Sequence, residues 1–210
     1  TMRPLRFFST STIALILVCG WFTKVAVAQH TEWDGQEQPR THTTDISHIE
    51  MHISFDEPAK KVIGTVIHTL SVLPQQDADS HITFDAADLT IQRVWLQTNN
   101  GKHEPLSFDT STQGKLIINL PKPATFGASM KIGIDYFGFP KRGMYFIEPD
   151  TFYTKRPEQV WTQGEGEDNH HWLPTYDSPN DKTTTDMYVT VRANQEALSN
   201  GRLVNKKKNR

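Results

Sequence analysis

Cysteine is nearly absent: the 210 residues hold one, Cys19. A single thiol closes no disulfide, so a fold built from this chain is held by its core and not by cross-links. Long apolar runs are missing as well. The longest, IALILVCGWF over 13–22, falls well short of the roughly 20 residues that cross a bilayer, and Lys24 follows it closely. No segment sustains an apolar period of 3.6, which argues against a helical architecture. Charge of one sign does not dominate either. The 22 basic and 24 acidic residues give a net charge of −2, without the basic excess that a nucleic-acid partner demands. The basic cluster KKKNR at 206–210 is a short terminal run of the ordinary solvated kind. Internal repeats and low-complexity tracts are lacking.

The N-terminus has a recognisable shape. Met2 is followed by Arg3 and Arg6, then the apolar run, then Ala26 and Ala28. A charged start, a short apolar stretch and an A-x-A site read as a secretory signal over 1–28, with an uncleaved anchor as the alternative. Cleavage after Ala28 would remove Cys19, Arg3, Arg6 and Lys24. It would leave 19 basic against 24 acidic residues, a net of −5, and no membrane span. A secreted or periplasmic location is the expectation. Residues 29–45 are polar and almost without apolar side chains, a flexible lead-in, and a folded domain is expected over 46–210. Thr1 ahead of Met2, and the new polar-to-apolar passage LSNGRLVN near the end, read as a fragment whose domain is incomplete at its C-terminal side.

Strand signals fill the domain. In HIEMHISF (48–55) Ile49, Met51, Ile53 and Phe55 alternate with polar partners, the period of a half-buried strand. KVIGTVIHTLSVL (61–73) is β-branched, with an irregularity at Gly64. HITFDAADLTIQRVWLQ (81–97) reads as two strands around an acidic turn. KLIINL (115–120), MKIGIDYFGF (130–139) and DMYVTVRA (186–193) follow. Turn signals such as TNNGKHEP and FPKRG separate them. The prediction is an all-β fold, an antiparallel sandwich or open sheet pair.

One stretch carries unusual chemistry: QVWTQGEGEDNHHWLPTYDSPNDK, 159–182. Gln163 and Glu165 are two apart, which in extended backbone points both side chains to one side. An amide oxygen and a carboxylate converging there can accept hydrogen bonds from an ammonium group, such as a peptide's free amino terminus. Gly164 and Gly166 would let a ligand approach the backbone. A solvated acidic loop explains the same residues more simply, and spacing does not separate the two. A carboxylate pair for glycoside cleavage, drawn from Glu165, Glu167 and Asp168, is a weaker third reading. His170 and His171 are adjacent, so their side chains diverge. His48, Glu50 and His52 alternate on a strand face that polar exposure explains as well as metal binding does. Neither cluster is H-E-x-x-H, and no G-x-S-x-G elbow occurs.

The same stretch resembles the N-terminal domain of the aminopeptidase N family of zinc metallopeptidases. The resemblance rests on T-Q-x-E (Thr162, Gln163, Glu165) and the turn that follows (Pro174, Tyr176, Asp177, Pro179, Lys182). DAADLTIQRV (85–94), RGMYFI (142–147) and EALSNG (196–201) match in the same order. Together they span about 43–204. Leu173 and Thr175 depart from the commonest turn, where an aromatic and a cysteine stand. The resemblance implies a saddle-like β-sandwich packed on a thermolysin-like catalytic domain, in which Gln163 and Glu165 hold the substrate's α-amino group. Asp177, Pro179 and Lys182 would be structural. It assigns no catalytic residue and no metal ligand to this chain, because zinc and its ligands would belong to the domain downstream. The chain by itself is expected to be inactive. A stand-alone β-sandwich that binds peptide or protein without catalysis is the alternative.

Overall fold

The computed structural model describes residues 40, 41, 43–74 and 80–208. The signal segment 1–28 and most of the lead-in expected over 29–45 lie outside the described residues. Where the description begins, Arg40 is already tied to the domain and the first strand starts at Thr44, two residues before the expected boundary.

Eleven strands are described: β1 Thr44–Asp56, β2 Lys61–Val72, β3 His81–Asp85, β4 Leu89–Gln97, β5 His103–Leu106, β6 Phe108–Asp109, β7 Lys115–Asn119, β8 Ser129–Gly138, β9 Met144–Ile147, β10 Gln159–Thr162 and β11 Thr184–Thr190. They form a six-stranded sheet in the order β11-β1-β2-β8-β4-β5, a three-stranded sheet β3-β7-β6 and a ribbon of β10 and β9. Among the described residues every pairing is antiparallel except that of β1 with β11, which is parallel. The architecture is all-β, with open sheets.

The alternation in the sequence sets the core. Met51, Ile53, Val66, Ile134, Tyr136 and Val94 line one face of the large sheet and meet Ile82, Phe84, Leu116 and Ile118 of the small one. Two register shifts adjust the pattern. The shift between Ile46 and His48 allows Ile46 and Ile49, three apart, both to be buried, and the one between Ile91 and Arg93 turns the partly buried Ile91 and the buried Val94 both toward the core. Gly64 is no irregularity in the strand. It pairs with Tyr136, whose ring would lie 2.6 Å from a Cβ at that position.

The acidic turn between β3 and β4 turns at Asp88, whose φ is 57°. His68 of β2 points into the core, fully buried. Its ring lies 4.5 Å from that of Phe84, and its Nε2 donates to the Pro174 carbonyl at 2.9 Å. That bond fixes the segment after the loop of interest to the large sheet.

Candidate functional site

The loop begins where the β9–β10 ribbon ends. Thr162 pairs with Met144, and the Gln163 N–H donates to the Gly143 carbonyl at 2.9 Å, extending the ladder one step. The chain then turns over 165–167, with Gly166 at φ 77°, and forms one 3-10 turn at Asn169–His171. Glu165 thus opens a turn instead of continuing the strand. The period-two argument accounts for Gln163 but does not by itself carry to Glu165.

Glycine has a different purpose here from the one its sequence position suggests. A Cβ on Gly164 would stand 2.1 Å from Oδ1 of Asn169, so the space is taken by that side chain and not left for a ligand. Gly143 is more tightly constrained. Its φ is 72°, and a Cβ would fall 1.9 Å from the Asp168 carbonyl oxygen.

Two buried carboxylates hold the loop. Asp177 accepts hydrogen bonds from Asn169 Nδ2 at 3.1 Å and from the His170 N–H at 2.8 Å, and its Oδ2 lies 2.9 Å from His170 Nδ1. The Asp177 N–H in turn donates to Asp85 at 3.0 Å. Asp85 is held by both guanidinium nitrogens of Arg40, at 2.8 and 3.1 Å, and by Lys115, while its backbone bridges Thr175. Burial opposes the Asp85 charge, but the bonds from Arg40, Lys115 and the Asp177 backbone outweigh it and hold its carboxyl below the usual range. These contacts give Asp177 the structural part the resemblance implies. Lys182, expected alongside it, is simply exposed.

The remaining charges of the loop sort themselves. Glu167 lies 3.6 Å from Arg40 and Asp168 3.7 Å from Arg142. His171 pairs with Asp88 at 2.7 Å, and Lys141 reaches the same carboxylate at 3.5 Å. Burial raises Asp88, but His171 and Lys141 outweigh that and hold it below its ordinary range. Gln163 and Glu165 are both exposed. Neither side chain has a hydrogen-bond or ion-pair partner among the described residues. A glycosidase-type carboxylate pair therefore loses two of its three candidate members to arginine.

The residues present do not fit zinc. Among the described residues no group of three or more His, Cys, Asp or Glu could hold a metal ion. His52 bonds Glu50 at 2.7 Å and stacks on Tyr188, and His48 bonds Thr184. His170 and His171 do not diverge as their adjacency suggests: their rings stack with centroids 4.5 Å apart, because each is drawn into a bond with an aspartate, Asp177 and Asp88 respectively.

Sequence reading missed the residues that hold the loop: Arg40, Asp85, Asp88, Arg142 and Asn169. Their partners lie far along the chain, Arg40 from Glu167 by 127 positions and Asp85 from Asp177 by 92, beyond the reach of local periodicity. The one available signal for Asn169 was its position inside the loop.

Residues 42–210 match the model of the Peptidase M1 N-terminal domain, and the chain belongs to that family. The fold agrees with solved structures. An M1 zinc metallopeptidase from Deinococcus radiodurans superposes with a TM-score of 0.55 at 20% identity, covering 72% of this chain and 33% of that one. A structure of the same metallopeptidase bound to a Tyr-Ser-Ala substrate gives 0.54 at 20% identity, over 70% and 32%. Leukotriene A4 hydrolase from Saccharomyces cerevisiae gives 0.56 at 14% identity, over 74% and 26%. The chain therefore spans about a third or less of the length of these structures. No curated protein matches the sequence closely.

Proposed function

We propose that this chain is the substrate-clamping N-terminal domain of a secreted zinc aminopeptidase, which removes N-terminal residues from peptides. The carrying observation is the sorting of charge. Of the three acids in the turn, Glu167 and Asp168 have arginine partners, and Glu165 has none among the described residues. A peptide's α-ammonium group is a cation of the right kind for it, with the Gln163 amide oxygen accepting a second bond. The zinc that polarises the peptide bond would be held by a thermolysin-like domain downstream, and this chain would bind and orient the amine. Leu198, Leu203 and Val204, exposed at 96, 76 and 84%, offer apolar surface for that domain to cover.

The test is Glu165→Ala in the full-length protein. Aminopeptidase kcat/KM should fall by an amount equivalent to about 2–5 kcal/mol, the usual cost of truncating one partner of a desolvated charge pair, with zinc content unchanged. Unaltered activity would leave the non-catalytic binding module as the better reading. Export is checked separately. The mature protein should begin at Gln29, and N-terminal sequencing that finds residues 1–28 still attached would contradict a cleaved signal.

A further inference from the structure

The β9–β10 ribbon has two unlike faces. Phe146 and Val160, directly paired, pack against the core. The opposite face carries the next cross-strand pair, Tyr145 and Trp161, whose rings stack with centroids 4.7 Å apart and planes 24° from parallel. Trp161 is 43% exposed. The core is closed from the other side, so this aromatic surface is not spent on sealing it. The hydrogen bond from Gln163 to Gly143 carries the ladder one step further, and period two then sets Gln163 on the same face as Trp161. At the rise of a strand they are roughly 7 Å apart.

We propose that the Tyr145–Trp161 stack is the platform that receives the side chain of a peptide's first residue, and that it favours aromatic and branched aliphatic residues there. This rests on the reading that Gln163 and Glu165 hold the α-amino group. An ammonium group and an apolar side chain leave the same Cα atom. A surface that matches such a residue sets a carboxylate and an amide beside an apolar face; the ribbon carries the Gln163 amide on the Tyr145–Trp161 face, and Glu165 follows in the turn just beyond it. A flat indole stacked on a phenol buries a phenyl or isobutyl group well and gains little from a methyl group. The simpler role, cross-strand stabilisation of a short ribbon, predicts no dependence on the substrate's first residue.

The experiment compares the 4-nitroanilides of Phe, Leu and Ala as substrates of the full-length protein and its variants. In Trp161→Ala the kcat/KM ratios of Phe to Ala and of Leu to Ala should fall roughly tenfold or more, the scale on which an apolar pocket discriminates. Trp161→Phe should restore most of both ratios. Ratios that stay at the wild-type values in Trp161→Ala, with all three rates falling in parallel or not at all, would overturn the platform. Glu165→Gln separates the two ideas. It should lower all three rates by a common factor. If it lowers none while Trp161→Ala still shifts the ratios, the platform stands and the amine-holding role of Glu165 falls.

Discussion

Asp177 has both carboxylate oxygens committed, one to the Asn169 amide and the other to His170. Gly143 sets where that arrangement can sit, because the Asp168 carbonyl occupies the place of its missing side chain. Gly143→Ala would force backbone apart and hold a Cβ at φ 72°. The expected loss is about 3 kcal/mol, from overpacking and the left-handed conformation together. It should appear as a lower denaturant midpoint at unchanged slope, and a midpoint within error of the wild type would contradict the packing described. Gly164→Ala should cost less, since the atoms it meets belong to the Asn169 side chain, which can swing off Asp177, and not to backbone. At this scale the T-Q-x-E stretch was recognisable in the sequence, and the roles proposed for Gln163 and Glu165 rest on that resemblance. Asn169 was not, because its importance comes from filling the space over Gly164 and from an aspartate eight residues on.

Strands, where long and alternating, were plain in the sequence. β1, β2, β4 and β8 fall within a few residues of the segments whose apolar positions repeat every second residue. β5, β6 and β10 were not, for a physical reason: they hold four, two and four residues, are mostly exposed, and exist because a neighbouring strand offers hydrogen bonds. Nor did alternation reveal that β11 runs parallel to β1, since period two carries no direction. His68 shows what a strand residue can do for a distant loop. Burial pulls its pKa down from near 6.5 to about 4, and its bond to Pro174 only partly opposes that. The folded state thus keeps His68 neutral while the unfolded state takes up a proton below about pH 6.5. Stability should therefore decline as pH falls from 6.5 to 4, by about 3 kcal/mol. Asp85, with its depressed pKa, adds a further loss at lower pH, as its folded-state charge is titrated. His68→Gln should flatten the slope between pH 6.5 and 4 in denaturation experiments. An equally steep slope in that variant would show that other groups set it.

As a whole, the molecule presents a firmly held loop in which Glu165 alone of the turn's acids has no partner among the described residues. Two arginines, two lysines and two histidines are engaged around that loop by carboxylates other than Glu165. Such an arrangement leaves the Glu165 charge, two residues from the Gln163 amide, without a partner among the described residues, and an amino terminus is a cation that could supply one. The family match identifies the domain, and the role we propose for Gln163 and Glu165 rests on this electrostatic pattern. The most direct test is a thermodynamic cycle in the full-length protein. It combines wild type and Glu165→Gln with a peptide carrying a free α-amine and its analogue in which a hydroxyl replaces that amine. The account predicts that Glu165→Gln strongly weakens kcat/KM for the free amine and leaves the hydroxyl analogue almost unaffected, a coupling of about 2 kcal/mol or more. Equal losses on both substrates would mean that Glu165 does not hold the amine.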